Sequence, residues 1–450
     1  MSVRLIDSLA TTPPLAELFS DESVLQAMLD FEVALARAEA RTGIVPAAAA
    51  DAIAVSAKSC NFDAATLAHA TLRAGTPAIP LVKALTERVR KTNPEVAGFV
   101  HWGATSQDVA DTVMSMLLKR AEPMVTNDLS KLEQALARLA EQHGKTVMLA
   151  RTLLQPAPPV TLGLKAAGWL GAVHRGKQAL QCGFHAAAIL QFGGASGTLA
   201  SLGDRGRAVV EALTQELGLG TPPPAPWHTQ RDQLATLICA CGVLTGSLGK
   251  MARDISLLMQ HEVGEAAEPA GGGRGGSSTM PHKHNPTACS LTLAAAHRLP
   301  GLVASFLSAM VQEHERGVGG WQAEWPVVAA VVQSTGLAVN SMAEVAEGLT
   351  VDTARMRANI ERTNGVIFAE RAMLLLAPKL GRDVAHMVLE AAAKKSAIEG
   401  RHLAEVLAGI PEVTAHLDPT ELKQLETPEQ YLGSAEAFRK ALISKSDQEQ

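Results

Sequence analysis

The 450-residue chain is long enough to bury a large core and to form more than one domain. It is 47% hydrophobic but only 3% aromatic, and alanine and leucine dominate, which favours helices over sheets. The net charge of −5 excludes an overall basic surface, so we expect no nucleic-acid partner.

The five cysteines are scattered and lack the spacing of a metal site. Cys239 and Cys241 lie in an apolar helical run, so we expect buried, inert thiols there. Together with the absence of a basic and then apolar leader, this pattern predicts a cytoplasmic protein. Every apolar run long enough to cross a bilayer contains charges or glycine, so no membrane partner is expected.

Residues 1–115 are predicted to form a first helical domain. Ser20 offers an N-cap, and the helix that follows is expected to end at Gly43. The stretch 74–80 contains glycine and two prolines and predicts a loop.

A turn at residues 101–104 leads to Thr105 and Ser106, which precede a predicted helix through Leu118. Hydroxyls and free backbone N–H groups at a helix N-terminus form a natural site for a carboxylate. An ordinary N-cap would explain the same two residues.

Residues 116–355 are predicted to form a bundle of very long helices, and residues 356–450 a smaller helical domain with a polar tail. The candidate long helices are 128–151, 160–190, 232–265, 286–315 and 326–349. An apolar bundle of this length needs partner chains to cover it, so a homo-oligomer is implied.

A glycine-rich segment, 271–286, carries most of the functional information. Between Gly276 and Pro286 its polar side chains are Ser277, Ser278, Thr279, His282, Lys283, His284 and Asn285. Glycine makes a backbone permissive, and mobile loops often hold catalytic groups. A flexible linker is the alternative, but Met280–Pro281 and Asn285–Pro286 restrain the backbone, which a linker does not need.

The run from Gly276 to Pro286 resembles the signature loop of the fumarase/aspartase superfamily, G-S-S-x-M-P-x-K-x-N-P. The resemblance implies that Ser277 transfers the proton and that Lys283 and Asn285 bind a substrate carboxylate. It implies further substrate contacts from Ser278, Met280 and His282. It also implies an all-α fold of three helical domains, and a homotetramer whose central bundle comes from all four chains and whose active sites each gather segments from three chains. We expect no cofactor.

The segment 101–108 resembles the superfamily's first conserved region, where a Thr-Ser pair contacts substrate. This resemblance favours substrate binding by Thr105 and Ser106 over a plain cap. The stretch 192–198 is another glycine loop, which we interpret as a turn between helices near the substrate.

The segment 151–159 resembles the second conserved region, often R-T-H-x-Q-x-A, which assigns Arg151 and Gln155 to the substrate site. Leu153 stands where that pattern has a histidine, which is a proposed general acid in several lyases. A lyase that protonates a departing amine or hydroxide is therefore disfavoured.

The segment 313–325 places two acids beside a histidine. Adjacent residues do not share one face of a helix as the ligands in His-x-x-x-His do, so we expect no metal.

Several segments resemble one branch of the superfamily, the 3-carboxy-cis,cis-muconate cycloisomerases, which close a lactone ring in the bacterial protocatechuate pathway. These segments are 74–82, 101–112, Leu153 and 313–325. In lactonisation a substrate carboxylate attacks its own double bond, so proximity replaces an enzyme nucleophile. Because nothing departs, no general acid is needed at residue 153.

The substrate of that branch is a trianion, whereas the chain is acidic. We therefore predict a local cationic pocket formed by Lys283, Arg316, His101, His282 and Arg151. Each arginine could instead be a salt-bridge partner. An apolar wall at Leu153 further predicts tolerance of a 3-sulfo analogue.

Two alternatives remain open. A fumarate-releasing lyase of the adenylosuccinate or argininosuccinate type predicts a histidine at position 153. A catalytically silent helical scaffold predicts no need for Ser277, Lys283 and Asn285 together, although all three are present.

Overall fold

The computed structural model describes residues 5–271, 273–280 and 282–447, with side chains as far as residue 444. Gly272 and Pro281 of the glycine-rich segment lie outside the described residues, as does the end of the predicted polar tail.

Helices form most of the described chain and only small sheets accompany them, which confirms the all-α prediction. The α-helices of the described residues are α1 (Pro13–Leu18), α2 (Asp21–Arg41), α3 (Ala47–Ser56), α4 (Ala64–Ala74), α5 (Ala78–Thr92), α6 (Ser106–Gln142), α7 (Leu162–Ala187), α8 (Gly206–Leu217), α9 (Asp232–Leu258), α10 (Thr287–Ala309), α11 (Gly320–Gly348), α12 (Thr353–Glu361), α13 (Ala369–Leu380), α14 (Arg382–Glu399), α15 (Leu403–Ala408), α16 (Pro411–Thr414), α17 (Pro419–Gln424) and α18 (Ala435–Asp447).

Four of the five predicted long helices are confirmed as separate helices with shifted ends: α7, α9, α10 and α11. The predicted start of the remaining one at residue 128 is wrong. The helix that follows Thr105 continues without a break, so that α6 spans 37 residues and includes Pro123. A proline inside a helix removes one backbone hydrogen bond, but packing along a long helix can outweigh that loss.

The predicted helix through residue 151 is also wrong, because an antiparallel hairpin forms there. Its strands are β1 (Val147–Thr152) and β2 (Gln155–Thr161), joined by Leu153 and Leu154. The prolines in β2 cannot continue a helix, and pairing with β2 holds the preceding residues extended. A second small sheet pairs β3 (Ala266–Ala267) with β4 (Thr350–Val351).

The chain folds into two compact units, each built from separated stretches of sequence. The first unit comprises residues up to 130, 175–249 and 290–341, and the second comprises 131–174, 250–289 and 342 onward. The three sequence domains, 1–115, 116–355 and 356–450, remain a prediction.

Each unit has its own apolar core. In the first unit Phe31 and Leu117 are at most 1% exposed. In the second, Phe368, Leu376 and Leu407 belong to one cluster of buried side chains. Full burial of such a side chain contributes about 1.5–3 kcal/mol. These cores fix the helices that carry the polar groups described below.

Two helices, α9 and α11, are long and apolar enough to cross a membrane by length and composition alone. Most of their apolar windows are buried within the protein, 61% and 72% respectively. Core helices of soluble proteins pass the same test, so these helices are weak support for a membrane span.

The prediction of buried thiols holds fully for Cys241, whereas Cys239 is only half-buried. Burial raises the pKa of the Cys241 thiol to about 12. A thiol with so high a pKa is a poor nucleophile at neutral pH, in keeping with a packing role.

Candidate active site

The glycine-rich segment of the second unit forms a loop that closes on itself at Gly275 and Asn285. The backbone N–H of Asn285 donates to the carbonyl oxygen of Gly275 at 2.8 Å. Gly275 has a φ of +67°, and a Cβ there would lie 2.7 Å from the carbonyl oxygen of Asn285. Only glycine fits at this position. Asn285 thus closes the loop. The sequence predicted a substrate contact for this residue but not this structural role.

The end of this loop leads into α10, whose first turn is held by Glu268. The carboxylate of this 7%-exposed residue accepts hydrogen bonds from the backbone N–H groups of Ala288 and Cys289, at 3.1 and 2.7 Å. A negative charge at a helix N-terminus is stabilising. Glu268 therefore fixes one flank of the loop.

Ser277 has a hydroxyl oxygen that accepts hydrogen bonds from two backbone N–H groups of its own loop. The donors are Met280, at 3.0 Å, and Thr279, at 3.3 Å. The same donors would stabilise the alkoxide form of the serine, so they favour loss of its proton. The backbone of the loop therefore offers a local route to the activation of Ser277.

The other predicted loop residues lie at the surface of the loop. Ser278, His282 and Lys283 are exposed, and Met280 is 42% exposed. Lys283 forms no ion pair within the described part of the chain, so its ammonium charge is available to an anion.

Leu153 and Leu154 are the two turn residues of the β1–β2 hairpin, also in the second unit. Both have positive φ, 51° and 66°, and both are exposed, 96% and 74%. A left-handed backbone costs a non-glycine residue about 1 kcal/mol or more. Two bulky apolar residues at a strained, exposed tip suggest a functional constraint.

Arg151, at the end of β1, is a salt-bridge partner of the buried Glu265. Two guanidinium nitrogens reach the two carboxylate oxygens at 2.7 and 3.0 Å. Its predicted contact with substrate remains a prediction. Arg151 and Gln155 nevertheless line one cavity of about 580 Å³ in the second unit, together with Arg362.

In the first unit, Thr105 and Ser106 lie at the N-terminus of α6, as the sequence predicted. Asp108, in the first turn of the helix, reaches back and accepts a hydrogen bond from the backbone N–H of Thr105 at 3.0 Å. This contact satisfies one N–H that the helix cannot pair itself.

Asp108 is completely buried and binds three further donors. The backbone N–H groups of Gly193 and Gly194 donate to it at 3.0 and 2.9 Å, and Nε2 of His228 lies 2.7 Å from it. Asp108 therefore joins the helix start to the glycine loop at 192–198. Sequence reasoning missed its role and that of His228, because these contacts span 85 to 120 positions.

Arg316 is held in place by neutral acceptors. Its guanidinium donates to Oε1 of Gln107 at 2.9 Å, and to the carbonyl oxygens of Gly194 and Ala195 at 2.6 and 2.9 Å. No carboxylate pairs with it among the described residues. Arg316 is thus fixed in direction and keeps its full charge, which suits it to bind an anion.

Beneath these groups lies an ion network that the sequence analysis did not identify. Arg231 binds both oxygens of Asp111, at 2.9 and 3.0 Å, and Oε2 of Glu324 at 2.7 Å. Burial raises the pKa of Glu324, although the charge of Arg231 opposes this. Removing one partner of such a buried set typically costs about 3–5 kcal/mol. Glu324 belongs to the 313–325 segment, and it forms an ion pair with Arg231.

His101, in the turn before α6, lies beside Glu32 of α2. Its Nδ1 is 2.7 Å from Oε1 of Glu32. Burial lowers the pKa of His101, but the charge and hydrogen bond of Glu32 and the charge of Asp108 outweigh that effect, so the pKa is raised.

Glu39, further along α2, is a fully buried carboxyl group whose two oxygens lack a hydrogen-bond partner among the described residues. Burial, together with the charge of Glu32, raises its pKa from 4.5 to about 9. Glu39 is therefore protonated at neutral pH, and the protein holds its proton more tightly than the unfolded chain does.

Glu39→Gln is expected to remove a pH-dependent loss of stability. Between pH 4.5 and about pH 9 the unfolded chain has released the Glu39 proton and the folded chain has not. The contribution of Glu39 to the free energy of unfolding of the wild type should therefore fall by about 1.4 kcal/mol for each pH unit. Urea unfolding should show the variant gaining about 3 kcal/mol on wild type between pH 6 and pH 8. Glu22→Gln, an exposed position on the same helix, is the control. A constant difference between Glu39→Gln and wild type across this range would contradict the assignment.

The predicted site residues thus divide between the two units. His101, Thr105, Ser106 and Arg316 lie around Asp108 and Gln107 in the first unit. The second unit holds the loop and hairpin residues Ser277, Ser278, Met280, His282, Lys283, Asn285, Arg151, Leu153 and Gln155. Across the described ranges, no group of three or more His, Cys, Asp or Glu side chains is arranged to hold a metal ion.

Comparison with known families gives two matches along the chain. A family described as lyase matches residues 8–301, and one described as adenylosuccinate lyase C-terminus matches residues 365–442. The first match alone covers more than half of the chain.

Individual relatives are similar over almost their full length. A 3-carboxy-cis,cis-muconate cycloisomerase of Bradyrhizobium diazoefficiens is 48% identical, over 98% of this chain and 100% of that protein. A nitrosuccinate lyase of Streptomyces davaonensis is 41% identical, over 96% of this chain and 92% of that protein. The crystal structure of the 3-carboxy-cis,cis-muconate lactonizing enzyme from Pseudomonas putida matches with a TM-score of 0.92 and 45% identity, covering 99% of each chain.

Proposed function

Because the chain belongs to the fumarase/aspartase superfamily of lyases, we propose that it converts 3-carboxy-cis,cis-muconate to 4-carboxymuconolactone. The reaction is an intramolecular addition without a cofactor. A substrate carboxylate forms a C–O bond to the double bond of the same molecule, and the neighbouring carbon gains one proton. The trianionic substrate thus takes up one proton and becomes a dianionic lactone, and no group leaves.

The observation that favours addition over elimination is the hairpin tip. Leu153 and Leu154 form the turn, and neither side chain can donate or accept a proton. An elimination that protonates a departing amine or hydroxide needs an acid, and the family pattern has a histidine at position 153. Ring closure needs no acid at position 153, because no group leaves the substrate.

Ser277 is the group that exchanges a proton with the substrate carbon. Its hydroxyl donates in the ring-closing direction, and the resulting alkoxide keeps the hydrogen bonds from the N–H groups of Thr279 and Met280 until it regains a proton from water. In the reverse direction the alkoxide removes the same proton. Lys283, exposed on the same loop, adds a positive charge that favours the alkoxide.

Attack of the carboxylate builds negative charge on a second carboxylate of the substrate as an enediolate-like species. Fixed donors that face this charge lower the barrier, because they need not reorganise during the reaction. Arg316, which carries an uncompensated charge, is a suitable donor, as is the helix N-terminus at Thr105 and Ser106. Asn285 and Lys283 are the donors of the loop.

Members of this superfamily act on small anionic substrates and are typically oligomeric. We propose a cytoplasmic homotetramer in which each active site gathers segments from three chains. The exposed loop around Ser277 and the group around Arg316 then need not come from the same chain. No nucleic acid or membrane is required.

The direct test is the loss of the ultraviolet absorbance of 3-carboxy-cis,cis-muconate on addition of the purified protein. We expect the conjugated absorbance to fall and the lactone to appear in the proton NMR spectrum. If the substrate is unchanged at high enzyme concentration, the proposal is wrong.

Elimination from a succinyl compound is a second candidate, favoured by the 41% identity to a nitrosuccinate lyase. A leaving group that is already a stable anion needs no protonation, so Leu153 does not exclude this case. Formation of fumarate from nitrosuccinate, but no lactone from 3-carboxy-cis,cis-muconate, would decide for it.

Leu153→His is expected to change the preference between 3-carboxy- and 3-sulfo-cis,cis-muconate. The leucine gives an apolar wall that accommodates the bulkier sulfonate, and a polar imidazole would favour the carboxylate. We expect the ratio of kcat/KM for the sulfo over the carboxy substrate to fall by about tenfold. Leu154→His, in the other turn position, should leave the ratio unchanged. Equal ratios in wild type and Leu153→His would contradict this expectation.

A further inference from the structure

A buried histidine–carboxylate pair links α2 to the turn before α6. The side chain of Glu32 is 1% exposed and that of His101 is 17% exposed. His101 has a φ of 60°, an uncommon left-handed backbone that contacts with its surroundings restrain. The contact with Glu32 is one such restraint.

This pair leaves one edge of the imidazole available. Nδ1 faces Glu32, so Nε2 lies on the opposite edge of the ring, where it has no hydrogen-bond partner among the described residues. A carboxylate on Nδ1 fixes the tautomer and orientation of a histidine and strengthens its charged form. His101 is thus a directed donor through Nε2.

The charged groups that act on His101 come from two helices. Glu32 contributes from α2 and Asp108 from α6, and both favour the imidazolium. Glu39, two turns beyond Glu32 on α2, adds no charge at neutral pH because it keeps its proton. His101 therefore keeps its positive charge to a higher pH than an isolated histidine would.

We infer that Glu32 is a positioning residue that presents His101, through Nε2, as a cationic donor to a carboxylate of the substrate. This inference rests on the proposed function, since a trianion is the kind of substrate that such a donor serves. Glu32 itself touches no substrate. No bond forms or breaks at the pair, which contributes to binding and orientation only.

The test compares Glu32→Gln with Glu39→Gln in the full-length protein. The two variants remove two buried carboxyl groups of the same helix, but only Glu32 contacts His101. The His101 titration is followed by NMR in deuterated protein with labelled histidine, and the signal is assigned by its absence in His101→Gln. The pH dependence of kcat/KM for 3-carboxy-cis,cis-muconate is measured in parallel.

We expect the His101 midpoint in wild type to lie above the ordinary value of 6.5. It should fall by about one pH unit or more in Glu32→Gln and stay in place in Glu39→Gln. In Glu32→Gln, kcat/KM should fall about tenfold above the wild-type midpoint of His101, and the loss should shrink as the pH is lowered, because protonation restores the cationic donor. The double variant Glu32→Gln/His101→Gln should be no worse than His101→Gln alone.

An unchanged midpoint in Glu32→Gln would overturn the inference, as would an equal loss of kcat/KM at every pH. If Glu32→Gln does not fold, the wild-type titration still decides, because a midpoint at or below 6.5 rejects a stabilised imidazolium. The two levels of failure differ. Absent turnover by wild type rejects the proposed function, whereas normal turnover with a pH profile insensitive to Glu32 rejects the positioning role.

Discussion

Ser277→Ala is expected to lower kcat by about a thousandfold, with little change in KM. General acid–base catalysis by a positioned group contributes about 10²–10⁴-fold, and Ser277 has two backbone donors that stabilise its alkoxide. Steady-state kinetics with 3-carboxy-cis,cis-muconate measure this loss. Incorporation of solvent deuterium at the protonated carbon should slow in proportion.

Thr279→Ala is the matched control for this prediction. It removes a neighbouring loop hydroxyl but keeps the backbone N–H that donates to Ser277. We expect kcat within about twofold of wild type, since the backbone donors are retained. A near-wild-type rate for Ser277→Ala would show that another group moves the proton.

Arg316→Gln is expected to lower kcat/KM by about a thousandfold. The side chain is fixed by three carbonyl-type oxygens, from Gln107, Gly194 and Ala195, and its charge is not neutralised within the described chain. Loss of one fixed donor to a developing negative charge typically costs about 10²–10³-fold, and the ground-state attraction is lost as well. Arg316→Lys should be intermediate, because an ammonium keeps the charge but lacks the planar fork.

Arg205→Gln is the control, because Arg205 also donates to backbone carbonyls in the same unit. Its partners are Gly43 at 2.7 Å and Thr42 at 3.4 Å, and neither belongs to the 101–108 or the 192–198 segment. This variant changes the net charge equally and should keep kcat/KM near wild type. Equal activities for the two variants, or a collapse of the melting temperature in Arg316→Gln, would point to a structural role for Arg316.

The sequence predicted those parts of the molecule that depend on local signals. Helical spacing of apolar residues identified the long helices, and Ser20 does cap α2 by accepting the backbone N–H of Ser23 at 3.3 Å. The glycines and prolines of the 276–286 run located the loop. The hydrogen bonds that Ser277 accepts were not predictable in the same way. They depend on how the backbone of the loop turns, and residue types alone do not specify that turn.

Contacts between distant positions escaped prediction. Arg231 reaches Asp111 across 120 positions and Glu324 across 93, and Asp108 reaches Gly193 across 85. Each of these side chains looks like an ordinary surface charge in the sequence. The hairpin was missed for a related reason, since β1 becomes a strand only through pairing with β2, and its own residues tolerate a helix.

The closure of the loop at Gly275 and Asn285 affects how tightly substrate binds. A segment whose two ends are already joined has fewer conformations than an open chain of equal length, so ordering it over a ligand costs less conformational entropy. That part of the cost is met when the protein folds. More of the attraction between the loop and an anion then remains as affinity, and the preorganised Ser277 meets each new molecule in nearly the same geometry.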